Sequence, residues 1–231
     1  MQTTYPSTKT GATTGAGTDH PARYPQEVLD VLRDELEGVK GPVLDPFAGT
    51  GRIHLLGRND TVGAEIEPEW ARLHPRTVHG DATDLPFEDA SFGAVATSPC
   101  YGNRMADRYD GRDGSRRHTY RIALGRPLSD GSAAGLQWGA SYRDLHQRAW
   151  RETHRVLRPG GIILVNVADH IRRGVRQPVT AFHWEALQQT GFEPVRVRHV
   201  ATRGMRHGRN RELRTDGELV LVLRKPTTSE E

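Results

Sequence analysis

Two short stretches of this sequence carry residue types that can do chemistry together. The first is Val43-Leu44-Asp45-Pro46-Phe47-Ala48-Gly49-Thr50-Gly51-Arg52, an apolar run that ends in an acid, passes through two glycines and opens into a segment that reads as a helix. Glycine at 49 and 51 lets the backbone take positive φ and lets a ligand approach where a Cβ would collide, which is how a nucleotide-type cofactor is usually gripped. A glycine turn alone also serves as a plain turn, so the second stretch decides more. About fifty residues on stands Thr97-Ser98-Pro99-Cys100-Tyr101, again at the end of a strand-like run. It offers a hydroxyl, a backbone carbonyl, a thiol and an aromatic face in four consecutive residues.

Read as Asp-Pro-Phe-x-Gly-x-Gly and Ser-Pro-x-Tyr, the pair resembles the S-adenosylmethionine-dependent amino-methyltransferases of DNA, which methylate adenine N6 or cytosine N4. That family couples the first motif, for the cofactor, to (Asp/Asn/Ser)-Pro-Pro-(Tyr/Phe) for the target base. The resemblance implies S-adenosyl-L-methionine as cofactor, DNA as partner, and a Rossmann-like methyltransferase sheet, mostly parallel with an antiparallel last strand. It places Asp45, Pro46, Phe47, Gly49 and Gly51 at the cofactor, and Ser98, Pro99, Cys100 and Tyr101 at the reacting base. An exocyclic amine is a poor nucleophile because its lone pair is delocalised into the ring. The Ser98 hydroxyl and the Pro99 carbonyl are acceptors able to draw the nitrogen toward tetrahedral geometry, after which positioning supplies much of the rate. A base flipped from a duplex loses its stacking, and the Tyr101 ring can replace part of it. Serine in the first position leans toward cytosine N4.

Cys100 departs from the family, whose second proline fixes φ and stiffens the turn. The departure implies a looser loop or weaker activity, and it raises a cysteine nucleophile, as in cytosine C5 methylation, as a rival. Two further rivals are an RNA base N-methyltransferase and a nucleic-acid binder that has lost turnover.

Other cofactor positions follow along the chain. Thr61 to Ile66 reads as a second strand with Glu65 near its end, where a carboxylate can accept both hydroxyls of a ribose; Glu67 is the runner-up. Thr77 to Ala82 reads as a third strand ending in Gly-Asp, and the resemblance carries Asp81 and Ala82 to the adenine, with a turn role as the alternative for Asp81. His20-Pro21, ahead of a helix opened by Pro25, resembles the family segment that closes over the methionine end of the cofactor.

These residues need a scaffold, and 231 residues suffice for one α/β domain without a large separate recognition domain. The expected organisation is a disordered leader over 1–19, a catalytic domain over 20–225 and a disordered tail over 226–231. Within the domain, 102–141 is an irregular insertion that leaves from Tyr101 and faces substrate. Phe92 to Thr97 and Ile162 to Val167 read as buried strands, Pro178 to Thr190 as a helix, and 194–200 with 219–223 as a closing hairpin. No run is apolar enough to span a membrane, no signal peptide is legible, and the lone Cys100 excludes an internal disulfide, which points to a soluble cytoplasmic protein with no metal site.

Net charge is +3, yet Lys occurs only at Lys9, Lys40 and Lys225, so the cations are nearly all Arg. Seven Arg fall in 104–126 and seven in 196–214, the second group opposed within its own stretch only by Glu212. Arg104, Arg116, Arg117, Arg203, Arg206, Arg209 and Arg211 are therefore the candidates for contact with a nucleic-acid backbone.

Overall fold

The computed structural model describes residues 24–103, 119–201 and 217–227. Its strands are β1 (Val43–Asp45), β2 (Thr61–Glu65), β3 (Thr77–His79), β4 (Phe92–Thr97), β5 (Leu157–Val167), a small hairpin of β6 (His170–Arg172) and β7 (Val175–Gln177), β8 (Glu193–Ala201) and β9 (Gly217–Arg224). The α-helices are α1 (Gln26–Glu35), α2 (Pro68–Ala71), α3 (Tyr120–Leu124), α4 (Ala140–Val156) and α5 (Val179–Gln189).

Seven strands form one sheet in the order β3-β2-β1-β4-β5-β9-β8, parallel except for β9, which runs antiparallel to both of its neighbours. This is the α/β methyltransferase-type sheet expected from the sequence. Alternation along the central strands sorts side chains to two faces. Leu44, Val95, Ile163 and Leu221 pack with Trp150 of α4 and Leu187 of α5, while Val43, Ala94, Leu164 and Val222 pack with Leu29 and Leu32 of α1. Helix α4 buries Tyr142, Leu145, His146, Ala149, Trp150, Thr153 and Val156, a stripe at helical spacing. Strand order reverses between β1 and β4, so their carboxyl ends open the crevice where such sheets bind ligands. Asp45 and Thr97 end those two strands.

Three local expectations change. The segment after the glycine turn is a five-residue 3-10 turn, Arg52–Leu56, bounded by Gly51 and Gly57 with φ of 79° each. His54 holds it down, its ring nitrogens bonding the hydroxyls of Thr61 and Thr77 at 2.9 Å each. Second, β5 starts at Leu157, well ahead of Ile162, so the Pro159-Gly160-Gly161 stretch lies inside a strand. Third, the described second half of the insertion is folded onto α2. The Arg126 guanidinium pairs with Glu67 and Glu69, and Ser129 donates its N–H and hydroxyl to Glu67. Glu67 is fully buried, and a buried carboxylate requires such partners. No described helix is long and apolar enough to cross a membrane.

Candidate active site

The turn after β1 is built on Asp45. Fully buried, it accepts from the Phe47 N–H at 3.0 Å and the Thr97 hydroxyl at 2.6 Å on one oxygen, and from the Tyr24 hydroxyl at 2.9 Å on the other. Burial raises its pKa to about 6, with the three donors pulling the other way. Asp45 thus joins β1, β4 and the entry to α1 beneath the turn. Pro46, Phe47, Gly49 and Thr50 line a cleft of about 330 Å³ above it. Gly49 and Gly51 both take positive φ, 53° and 79°, as the two-glycine spacing predicted.

The acids expected on the cofactor fall on one wall of this cleft. Glu65, at the end of β2, accepts from the Gly49 N–H at 2.7 Å and the Glu67 N–H at 2.8 Å. Burial pushes its carboxyl up to about 7; those two N–H bonds oppose the rise, and the nearby Glu67 and Asp45 carboxylates add to it. Between the two candidates, Glu65 lines the cleft, while Glu67 lies behind it holding the 126–129 segment. Asp81 takes the turn role, one oxygen accepting from the Thr83 N–H and hydroxyl at 2.8 and 2.9 Å, and it also lines the cleft beside Ala82 and Gly131. Ile66, Trp70, Ala133 and Ala134 complete a wall of flat and small apolar groups.

Ser98, Pro99, Cys100 and Tyr101 line the same cleft. The Ser98 hydroxyl lies 3.1 Å from the Tyr101 hydroxyl, which donates to Glu218 of β9 at 3.0 Å. The Asn166 amide of β5 reaches the Ser98 and Tyr101 oxygens at 3.2 and 3.0 Å and donates to Glu218 as well. Because a carboxylate only accepts, the Asn166 nitrogen must face Glu218, and its oxygen is left as a buried acceptor with no partner among the described residues. Asn166 and Glu218 were not singled out from sequence. A signal existed: each is a polar residue on an apolar strand, and a buried polar group needs a partner.

Cys100 is half-buried, its thiol 3.6 Å from the Tyr120 hydroxyl, and burial pushes its pKa to about 12. A thiol held protonated to that degree is a poor nucleophile.

His20 and Pro21 lie outside the described residues, as do Arg104, Arg116, Arg117, Arg203, Arg206, Arg209 and Arg211. Three other Arg of the two basic groups are internally spent. Arg126 is paired as above, Arg196 bonds Glu35 at 2.6 Å, and Arg198 bonds Asp34 at 2.8 Å and Glu35. The count of opposing charges along the local sequence missed these acids because they come from α1 and α2. Residues 104–118 run between Asn103 and Thr119-Tyr120, and 202–216 lead to Gly217-Glu218; Asn103, Tyr120 and Glu218 are lining residues.

No protein-family model matches the chain, and no curated protein matches it significantly. Solved structures do resemble it in fold. A TehB-like SAM-dependent methyltransferase from Corynebacterium glutamicum aligns with a TM-score of 0.51 at 16% identity, over 86% of this chain and 87% of that one. The Burkholderia thailandensis 1,6-didemethyltoxoflavin-N1-methyltransferase, solved with bound 1,6-didemethyltoxoflavin and S-adenosylhomocysteine, aligns with a TM-score of 0.50 at 19% identity, over 86% of this chain and 76% of that one. The [4+2]-cyclase SpnF aligns with a TM-score of 0.52 at 18% identity, over 92% and 87%. Since a cyclase and methyltransferases share this fold, function rests on the site itself.

Proposed function

We propose that this chain is an S-adenosylmethionine-dependent methyltransferase acting on an exocyclic amine of a DNA base, cytosine N4 or adenine N6. One observation carries the reading: Ser98 and Tyr101, braced by Asn166 and Glu218, face the same cleft as Gly49, Glu65 and Asp81. A nucleoside-like cofactor and an amine acceptor can therefore meet in one crevice at the carboxyl ends of β1 and β4.

The residues fit the cofactor. Glu65 has the position and chemistry to take ribose hydroxyls, Asp81 an adenine amino group, and the small groups at Ala82, Gly131 and Ala134 leave room for a flat ring. The carboxyl groups of Glu65, Asp81 and Glu218 give the cleft acceptors for the donors of the cofactor. S-Adenosylmethionine, when bound, supplies an electrophilic methyl. The chain's own part is to place the amine nitrogen in line with it and to accept the amine's hydrogens, through the Ser98 hydroxyl and the Pro99 carbonyl. Ser98 is suited to this because Asn166 and Tyr101 fix its oxygen from behind.

The titration of Glu65 gives a test on the cofactor alone. Ribose hydroxyls are donors and favour the ionised carboxylate, so affinity for S-adenosylmethionine is expected to fall as pH drops below about 7, approaching tenfold per unit. The sign for folding is opposite. With the folded value above the ordinary 4.5, the contribution of Glu65 to stability is present below 4.5 and is lost as pH rises to about 7. Glu65→Ala should weaken binding and abolish the pH dependence, read by calorimetry from pH 6 to 8. A flat wild-type profile would remove Glu65 from the ribose.

DNA is favoured over a small amine because the cleft residues Asn103, Tyr120 and Glu218 flank both Arg-rich stretches in the sequence. Neutralising two of Arg203, Arg206, Arg209 and Arg211 is expected to weaken binding to all DNA sequences and to lower the salt slope by about one unit per lost phosphate contact. A slope equal to that of wild type would assign these Arg to plain solvated surface. The reaction itself is tested by transfer of isotope-labelled methyl from S-adenosylmethionine to DNA, RNA and free nucleosides in parallel.

A further inference from the structure

The Ser-Pro-Cys-Tyr loop lacks the second proline that stiffens Pro-Pro-Tyr loops, yet its backbone is held from below by a chain of three buried side chains. The Trp150 indole N–H donates to His183 Nδ1 at 3.2 Å, His183 Nε2 lies 2.9 Å from the Tyr142 hydroxyl, and that hydroxyl donates to the Cys100 carbonyl at 2.6 Å. Each of the three residues is fully buried. The direction of every bond is determined. An indole can only donate, so His183 Nδ1 is the bare nitrogen. Burial, with His146 adding to it, holds the His183 pKa well below its ordinary value, so the ring is neutral and its one proton sits on Nε2. Nε2–H then donates to the Tyr142 oxygen, and the phenolic proton has only the Cys100 carbonyl to go to. No bond in the chain can reverse without stranding a buried donor.

The far side of the loop is held as well. The Trp138 N–H donates to the Gly102 carbonyl at 3.0 Å, and Gly102 has a φ of +65° with its α-carbon so close that a Cβ would lie 2.8 Å from the Trp138 nitrogen. The carbonyls on either side of Tyr101 are therefore both fixed, one through α4 and α5 and the other through the turn before α4.

We propose that Tyr142, His183 and Trp150 are positioning residues of this site: their directed chain fixes the carbonyl of Cys100 and so restrains, from its ψ side, a loop that a proline at 100 would restrain through φ. The proposal rests on the reading of Ser98 to Tyr101 as the amine-methylating loop. It corrects the expectation that cysteine at 100 leaves the loop loose: rigidity is supplied by contacts from distant parts of the chain.

The test uses Tyr142→Phe, Cys100→Pro and the double variant, with two readouts. Amide exchange over residues 98–103 in the protein alone should become about tenfold faster in Tyr142→Phe, the loss of one hydrogen bond's worth of local stability. It should slow again when Cys100→Pro is added. Single-turnover methyl transfer should fall in Tyr142→Phe with cofactor affinity unchanged and should recover most of its rate in the double variant. A general loss of packing would not be repaired by proline at position 100. Trp150→Phe, which removes the N–H that sets the His183 tautomer together with part of the ring, should shift both readouts the same way. Unchanged exchange in Tyr142→Phe, or a loss that Cys100→Pro does not repair, would overturn the proposal. Exchange that behaves as expected in a protein that methylates no base supports the pinning and removes the base-methylating reading.

Discussion

Trp150→Ala is expected to cost about 3–5 kcal/mol of folding stability, the range for emptying a fully buried aromatic site. Its indole lies in the core between α4, α5 and the sheet, with its ring at 6.1 Å and 74° to Phe47 of the glycine turn and at 5.5 Å from His183. Removing it opens a cavity, leaves His183 Nδ1 without its donor, and takes away support from under Phe47. A domain of ordinary stability holds only about 5–15 kcal/mol in all, so a large part of it goes with this one side chain. Urea unfolding should show a lower midpoint with an unchanged slope. A loss below about 1 kcal/mol would mean that the site collapses freely and that the tight packing around α4 is misjudged.

What was legible in the sequence was what is local. The strands show as short apolar runs because both faces of the central sheet are covered, and the glycine turn and Ser-Pro-x-Tyr motif show because each is one uninterrupted segment. What was not legible depends on side chains that meet only after folding. Tyr101 and Glu218 are separated by 117 positions, Arg126 and Glu67 by 59, and Tyr142 and His183 by 41. Arg126 looks in the sequence like one more member of a basic stretch, and only the burial of Glu67 makes it structural. Asp45 shows the same limit: its motif placed it at the cofactor, and the bonds from Tyr24 and Thr97 that also make it the brace beneath the turn come from distant parts of the chain. The 3-10 turn after Gly51 followed from tertiary bonds of His54, which no helical periodicity encodes.

Ser98→Ala is expected to lower single-turnover methyl transfer about tenfold to a hundredfold, the worth of one buried hydrogen bond made as the amine rehybridises. Cofactor and DNA affinity should change little, because the Ser98 acceptor is engaged chiefly in the transition state. Asn166→Ala should give part of the same loss, since its amide orients the Ser98 oxygen from behind. Tyr101 separates two roles. Tyr101→Phe keeps the ring but removes the hydroxyl that bonds Glu218 and Ser98, whereas Tyr101→Ala also removes a stacking face worth about 1–3 kcal/mol per base. Tyr101→Ala should therefore weaken capture of the flipped base and be partly rescued by an unpaired or mismatched target, for which extrusion costs less. Equal loss of cofactor affinity and of rate in Ser98→Ala would place Ser98 in the scaffold.

The central claim is that the Ser98–Tyr101 loop methylates an exocyclic amine of a DNA base. Mass spectrometry of nucleosides from DNA incubated with the protein and S-adenosylmethionine tests it most directly. The predicted result is N4-methylcytosine or N6-methyladenine, present with wild type and strongly reduced with Ser98→Ala. Methyl found on cytosine C5, or in RNA or small amines while DNA stays unmodified, would contradict it.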